Sequence, residues 1–208
     1  MDNKGNEEDN LFEYRKDFIY KAIEDTTNTI RFLDTKVGAV FLVISVVLAS
    51  LVGLKDSISE SFIYFKDYII HFFIFVVAIS LFSFKIIISI YYGFIAIYSK
   101  DNPKEHIDTT EIKNKNMLSL WYLLVDNKTK MVNPSMKIYL NNIKSLNKND
   151  LIEQIAIEHF KLSYIRHFKL ENSNKCIKFF RLALIPLILI LLYIMFYYLI
   201  PNKCIYIS

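Results

Sequence analysis

Apolar positions fall into two patterns along this chain, unbroken runs and helical stripes. Residues 37–54, VGAVFLVISVVLASLVGL, form eighteen positions without a charge between Lys36 and Lys55. As a helix that run is about 27 Å long at ~1.5 Å per residue, which just spans a hydrocarbon core of about 30 Å. A second run lies within 68–98 and is broken by one charge, Lys85. A third, 182–200, sits between Arg181 and Lys203 and holds Pro186 in its first turns. Proline is tolerated near a helix start because its missing N–H has no partner there. Core helices of soluble proteins rarely run so far without a charge, so all three read as membrane crossings.

The stripes lie before and after the crossings. Ile19, Ile23, Thr26, Ile30, Leu33 and Val37 recur at steps of three and four, which predicts an amphipathic helix over 11–36 running into the first crossing. Its polar leader, residues 1–10, reads as disordered. In the long polar segment 99–181, turn signals stand at Asp101-Asn102-Pro103, Asp126-Asn127 and Asn133-Pro134. The apolar stretch 118–125, LSLWYLLV, suits a strand, a buried helix turn or a membrane-surface patch. Met136, Tyr139, Leu140 and Ile143 share one helical face, and Asn149-Asp150 offers an N-cap for a helix from Leu151 that feeds the last crossing. The expected fold is an all-α membrane protein. It has about three transmembrane helices, 37–54, 68–98 with a cytoplasmic extension, and 182–200. Cytoplasmic helices continue the first and last crossings, and a short outer tail occupies 201–208.

Charge orients this arrangement. Six Lys/Arg precede residue 37, two lie in the 55–67 link, fifteen in 99–181 and one in the tail. Cytoplasmic segments carry the excess of Lys and Arg, so the N-terminus and the long loop are expected in the cytoplasm of a bacterial cell, at its inner membrane. The net charge of +4 then reflects topology and anionic lipid rather than nucleic-acid binding. No basic–aromatic module is present. The mean hydropathy of +0.28 alongside 22% charged residues makes a soluble enzyme improbable.

Candidate chemistry is sparse. No Gly-rich phosphate loop, nucleophile elbow or metal-ligand spacing occurs, so neither catalytic nor metal residues are assigned. His159, Arg166, His167 and Lys169 lie near one stretch of the last cytoplasmic helix and suit an anion, or simply a solvated face. Three residues stand out as membrane-coupling or pore candidates. Asp34 and Lys36 sit immediately before the first crossing, where i, i+2 spacing keeps them from facing each other. Lys85 lies inside the second run. A Lys at mid-bilayer costs about 2.5–3.5 kcal/mol on insertion scales, so it either lines a pore or an oligomer contact, or ends the crossing near Phe84 and snorkels to the surface.

The junction TTNTIRFLDTKVGAVFLVISVVLASLVG, with its F-x-D-x-K-x-G pattern, resembles the membrane effectors of the Pycsar antiphage system. So does the late stretch DLIEQIAIEHFKLSYIRHFKLENSNKCIKFFRLAL. Phe32, Asp34, Lys36, Gly38, Asp150, Leu151, Gln154 and Ile155 carry the match, with Lys175 and Ala183 adding to it. The resemblance covers most of 20–195. It implies a non-enzymatic effector that responds to cyclic CMP or cyclic UMP from a pyrimidine cyclase. That effector would impair the inner membrane as a homo-oligomer in the lipid bilayer, so that infection aborts. No recognisable cyclic-nucleotide-binding β-barrel is present, and no ligand-binding residue is assigned. The alternative is a small membrane scaffold whose cytoplasmic helices recruit a partner.

Overall fold

The computed structural model describes residues 3–98, 124–125, 132–133 and 136–199. Five helices account for nearly all of them: α1 Asn3–Gly53, α2 Lys55–Phe65, α3 Ile69–Ile97, α4 Met136–Ser145 and α5 Lys148–Leu199. The only ladder among the described residues is two residues long. β1, Leu124–Val125, pairs antiparallel with β2, Val132–Asn133. The end of the 118–125 stretch is thus a strand, while Trp121 and Tyr122 lie outside the described residues.

The chain forms two compact units. One takes residues 1–32 with 99–168, the other Leu33–Tyr98 with Lys169–Ser208. In the first unit, the ammonium groups of Lys16 and Lys148 each lie 5.7 Å from the Phe12 ring. Thr26, Gln154, Ile155 and Lys161 are buried there, and Lys161 pairs with Glu158. The helix α1 starts at Asn3, within the polar leader.

The start of α5 is set two residues earlier than the expected Asn149-Asp150 cap. The Asp150 N–H donates to Asn147 Oδ1 at 2.8 Å and the Asn147 N–H donates to Asp150 Oδ2 at 3.2 Å. This reciprocal capping box satisfies two otherwise orphaned donors. From there α5 continues for 52 residues, so Pro186 lies deep in its interior rather than near a start. Its ring leaves the Leu182 carbonyl without the usual i→i−4 donor, which is tolerable where neighbouring helices surround the gap.

The second unit is a bundle of α1, α3 and α5. Its core joins Ile44, Phe75, Phe82, Ile86, Leu187, Ile190 and Ile194, with Ala78 and Ala183 at close approaches. Val37, Ala96 and Cys176 make a smaller cluster toward the end where α1 enters. The predicted stripe on α1 holds: Thr26, Leu33 and Val37 are buried, and Ile44 extends it. Large apolar side chains point outward as well, among them Leu42, Val46, Phe73, Ile87 and Ile188. An exposed apolar surface of this extent marks lipid contact in a bundle. Three helices are long and apolar enough to cross a membrane.

The expected 55–67 link contains a helix, α2. Its Ser61 and Phe65 are buried, and Phe65 meets Phe75 and Tyr193 at centroid distances of 6.2 and 5.1 Å. Its spacing is helical, but at 11 residues it is too short to stand out beside three longer apolar runs.

Candidate functional site

The three residues singled out by sequence do not converge. Asp34 lies half-exposed on α1, within reach of α5. Its Oδ1 accepts a hydrogen bond from Lys169 Nζ at 2.6 Å. The Lys169 side chain is 7% exposed and Asp34 43%, so the pair sits at the rim of the bundle with its cation inside. Lys36, two residues on, is exposed. The anion-binding alternative for His159, Arg166, His167 and Lys169 loses its buried member, because Lys169 is held by Asp34. In the other unit, His159 Nε2 lies 3.5 Å from Ser163 Oγ.

Just beyond the pair, the three helices approach closely. A Cβ on Gly93 would stand 2.5 Å from two atoms of the Phe41 ring and 3.2 Å from Cys176 Sγ. Only glycine admits this contact without movement. One turn away, Ser89 Oγ donates to the Cys176 carbonyl at 2.9 Å. That bond is buried and ties α3 to α5 where Cys176 has no exposure.

Lys85 is one turn further along α3. Its ammonium lies 5.8 Å from the Phe84 ring and 5.4 Å from the Phe179 ring of α5. Phe179 stacks on Tyr92 at 5.7 Å with an interplanar angle of 4°, and Lys175 stands 5.4 Å over Tyr92. Two cations therefore bracket two stacked rings, an arrangement that the negative ring faces favour. Lys175 also donates to Glu171 at 2.6 Å. That hydrogen bond holds its ammonium above the ordinary lysine range. Lys178 and Arg181 are exposed on α5. None of Lys85, Lys178 and Arg181 makes an ion pair among the described residues.

The opposite end of the bundle is aromatic. Tyr64, Tyr68, Tyr193, Tyr197 and Tyr198 cluster with His71. Ser57 Oγ and Tyr198 Oη are 2.7 Å apart, and His71 Nδ1 lies 3.3 Å from Tyr193 Oη. Rings with one apolar end and one polar end collect at a membrane–water boundary. Between the two ends the polar side chains turn inward on their own helices. Ser45, Ser50 and Ser80 donate to the carbonyls four residues back at 2.9 Å each, a local bond that uses the hydroxyl proton within its own helix.

No group of three or more potential metal ligands occurs among the described residues. A sequence-family profile described as the Pycsar effector protein domain matches residues 18–196. The chain belongs to the Pycsar effector family. No curated protein and no solved structure matches it. As a Pycsar effector it is an antiphage defence protein, and its three long apolar helices make it a membrane protein.

Sequence reasoning marked Asp34 in this Pycsar effector but not its partner. Lys169 lies 135 positions away on another helix, and nothing in the local pattern links the two. Gly93 and the Phe179–Tyr92 stack were also missed. A lone glycine in an apolar run was the available signal for the first, and the second left none.

Proposed function

We propose that this Pycsar effector responds to a cyclic pyrimidine nucleotide, cyclic CMP or cyclic UMP, and impairs the bacterial inner membrane so that infection aborts. Membership in the family supports the signal and the non-enzymatic mode of action. One structural observation carries the mechanism. α1 and α5 each run unbroken from polar sequence into the apolar bundle, and Asp34–Lys169 joins them at its rim. A long helix transmits displacement along its axis. Ligand that favours a different spacing of these two helices draws the population toward it by its differential affinity for the two states. Separation leaves the Lys169 ammonium buried without its carboxylate, which is costly, so the pair holds the resting arrangement.

The N-terminus and the 99–181 region are cytoplasmic in this reading, as the Lys/Arg counts require. Lys85 marks the cytoplasmic edge of the bilayer rather than its middle. Along α5, Phe179 beside Lys85 and Tyr198 beside Ser57 are 19 residues apart, about 28 Å of helix. That is close to the ~30 Å thickness of a hydrocarbon core. Beyond Lys85, Ile87, Tyr91, Phe94 and Tyr98 leave α3 with an exposed apolar face. Covering that face favours a second copy of the chain, so the acting species is a homo-oligomer. Ser45, Ser50 and Ser80 are bonded to their own helices and Ser89 to the Cys176 carbonyl, so one bundle offers little polar lining. Leakage arises between copies or by disordering lipid.

The test is expression in bacteria with and without a pyrimidine cyclase. Growth arrest and depolarisation that need both proteins support the reading. Unimpaired growth with both proteins inserted in the membrane refutes it and favours a scaffold that recruits a partner.

A further inference from the structure

We infer that Leu11, Tyr14 and Phe18 on α1 form a seam on which a second copy of this chain docks, helix against parallel helix. The three side chains are 48%, 72% and 67% exposed, and steps of three and four set them on one face. The other side of this helix is already occupied. Phe12 lies under the Lys148 ammonium of α5 at 5.7 Å, and Thr26 is buried farther along that side. Lipid does not cover the seam. α1 runs unbroken to Gly53, and Phe18 precedes Val37, where the uncharged run begins, by 19 residues, about 28 Å of helix. A contiguous apolar patch that stands clear of the hydrocarbon marks an interaction surface.

The same face of another copy fits it. Chains inserted in one membrane share one orientation, so their α1 helices run parallel. Positions 11, 14, 18, 21 and 25 follow the three–four repeat that a parallel pair interdigitates. Beyond the apolar part, that repeat brings Lys21 and Asp25, both exposed and neither in an ion pair among the described residues. In a parallel pair each Lys21 stands one layer from the partner's Asp25. Two opposite-charge contacts then close the seam and fix its register. The area sets the conditions under which it forms. The two rings of each copy expose roughly 100–170 Å² apiece, short of what holds two freely diffusing proteins together. Copies tethered in one bilayer meet at a far higher effective concentration, where a short seam suffices. The seam shares with the proposed function only its homo-oligomer, and it needs no nucleotide.

The test is disulfide cross-linking of cysteine variants of the full-length protein in bacterial membranes, under mild oxidation and without a cyclase. Cys204→Ser supplies the background, since Cys176 is buried. Tyr14→Cys and Phe18→Cys are expected to give covalent dimer. Glu13→Cys and Tyr20→Cys, exposed on another side of the same turns, should give little. In the Phe18→Cys chain, adding Lys21→Glu sets like charges across the seam and should cut the dimer about fivefold or more. Adding Asp25→Lys to that chain should restore it. All these positions are exposed, so the variants keep the fold. Equal linking at all four positions, no dimer at 14 and 18, an undiminished dimer with Lys21→Glu, or no recovery with the charge swap overturns the inference. With no nucleotide present, none of these outcomes bears on the response to a cyclic nucleotide.

Discussion

Lys169 reaches across from α5 to place its ammonium 2.6 Å from Asp34 Oδ1 on α1, with the lysine inside the bundle and the carboxylate at its rim. The arrangement is asymmetric in its consequences. Losing the carboxylate strands a buried cation, whereas losing the cation leaves a carboxylate that water can reach. Asp34→Asn is therefore expected to destabilise the purified protein by about 1–3 kcal/mol. That is below the 3–5 kcal/mol of a fully buried pair, since Asp34 is partly solvated. Lys169→Met should cost less, and the double variant should recover most of the loss. Chemical unfolding in detergent measures all three. Equal losses for the two single variants would show that burial of Lys169 does not govern the pair.

The contact at Gly93 makes a second prediction. Gly93→Ala sets a methyl against the Phe41 ring and is expected to cost about 1–3 kcal/mol. The close contacts are confined to the ring's far edge and Cys176 Sγ, so shortening Phe41 should relieve them. Gly93→Ala/Phe41→Leu should be more stable than the sum of the single effects. Strict additivity would mean that the helices move apart instead.

Asn147 and Asp150 close the first turn of α5 by exchanging hydrogen bonds. Asn147→Ala should cost about 1 kcal/mol, confined to that end of the helix. Hydrogen exchange should quicken for the amides of residues 148–151 and stay unchanged in α3. Faster exchange along the whole of α5 would contradict a local role.

Lys85→Leu separates the two readings of that residue. With Lys85 at the headgroup edge, the substitution should leave the ion selectivity of any triggered leak unchanged. Ser83→Leu, a neighbouring exposed position, is the control. A change of selectivity in Lys85→Leu alone would place its ammonium in the conducting path.

Much of this architecture is legible from periodicity. The burial of Thr26, Leu33 and Val37 follows from steps of three and four, and the three crossings follow from uncharged length. What escaped has a common physical cause. The Lys169 partner of Asp34, the Phe41 ring over Gly93 and the Phe179–Tyr92 stack are contacts between helices far apart in sequence, where no local pattern operates. Pro186 misled for a related reason. Its tolerance was argued from a helix start at the membrane, but α5 begins 38 residues earlier, at a cap set by Asn147. The short helix α2 was hidden by its length, since eleven residues hold only three turns of pattern.

The central claim is that a cyclic pyrimidine nucleotide converts this bundle from a sealed to a disruptive state. The most direct test is dye release from vesicles of phosphatidylglycerol and phosphatidylcholine carrying the purified protein, titrated with cyclic CMP, cyclic UMP, purine cyclic mononucleotides and cyclic dinucleotides. The account predicts saturable release with cyclic CMP or cyclic UMP and none with the others, with Asp34→Asn shifting the response to lower nucleotide concentration. Correctly inserted protein that stays sealed with every nucleotide would contradict it.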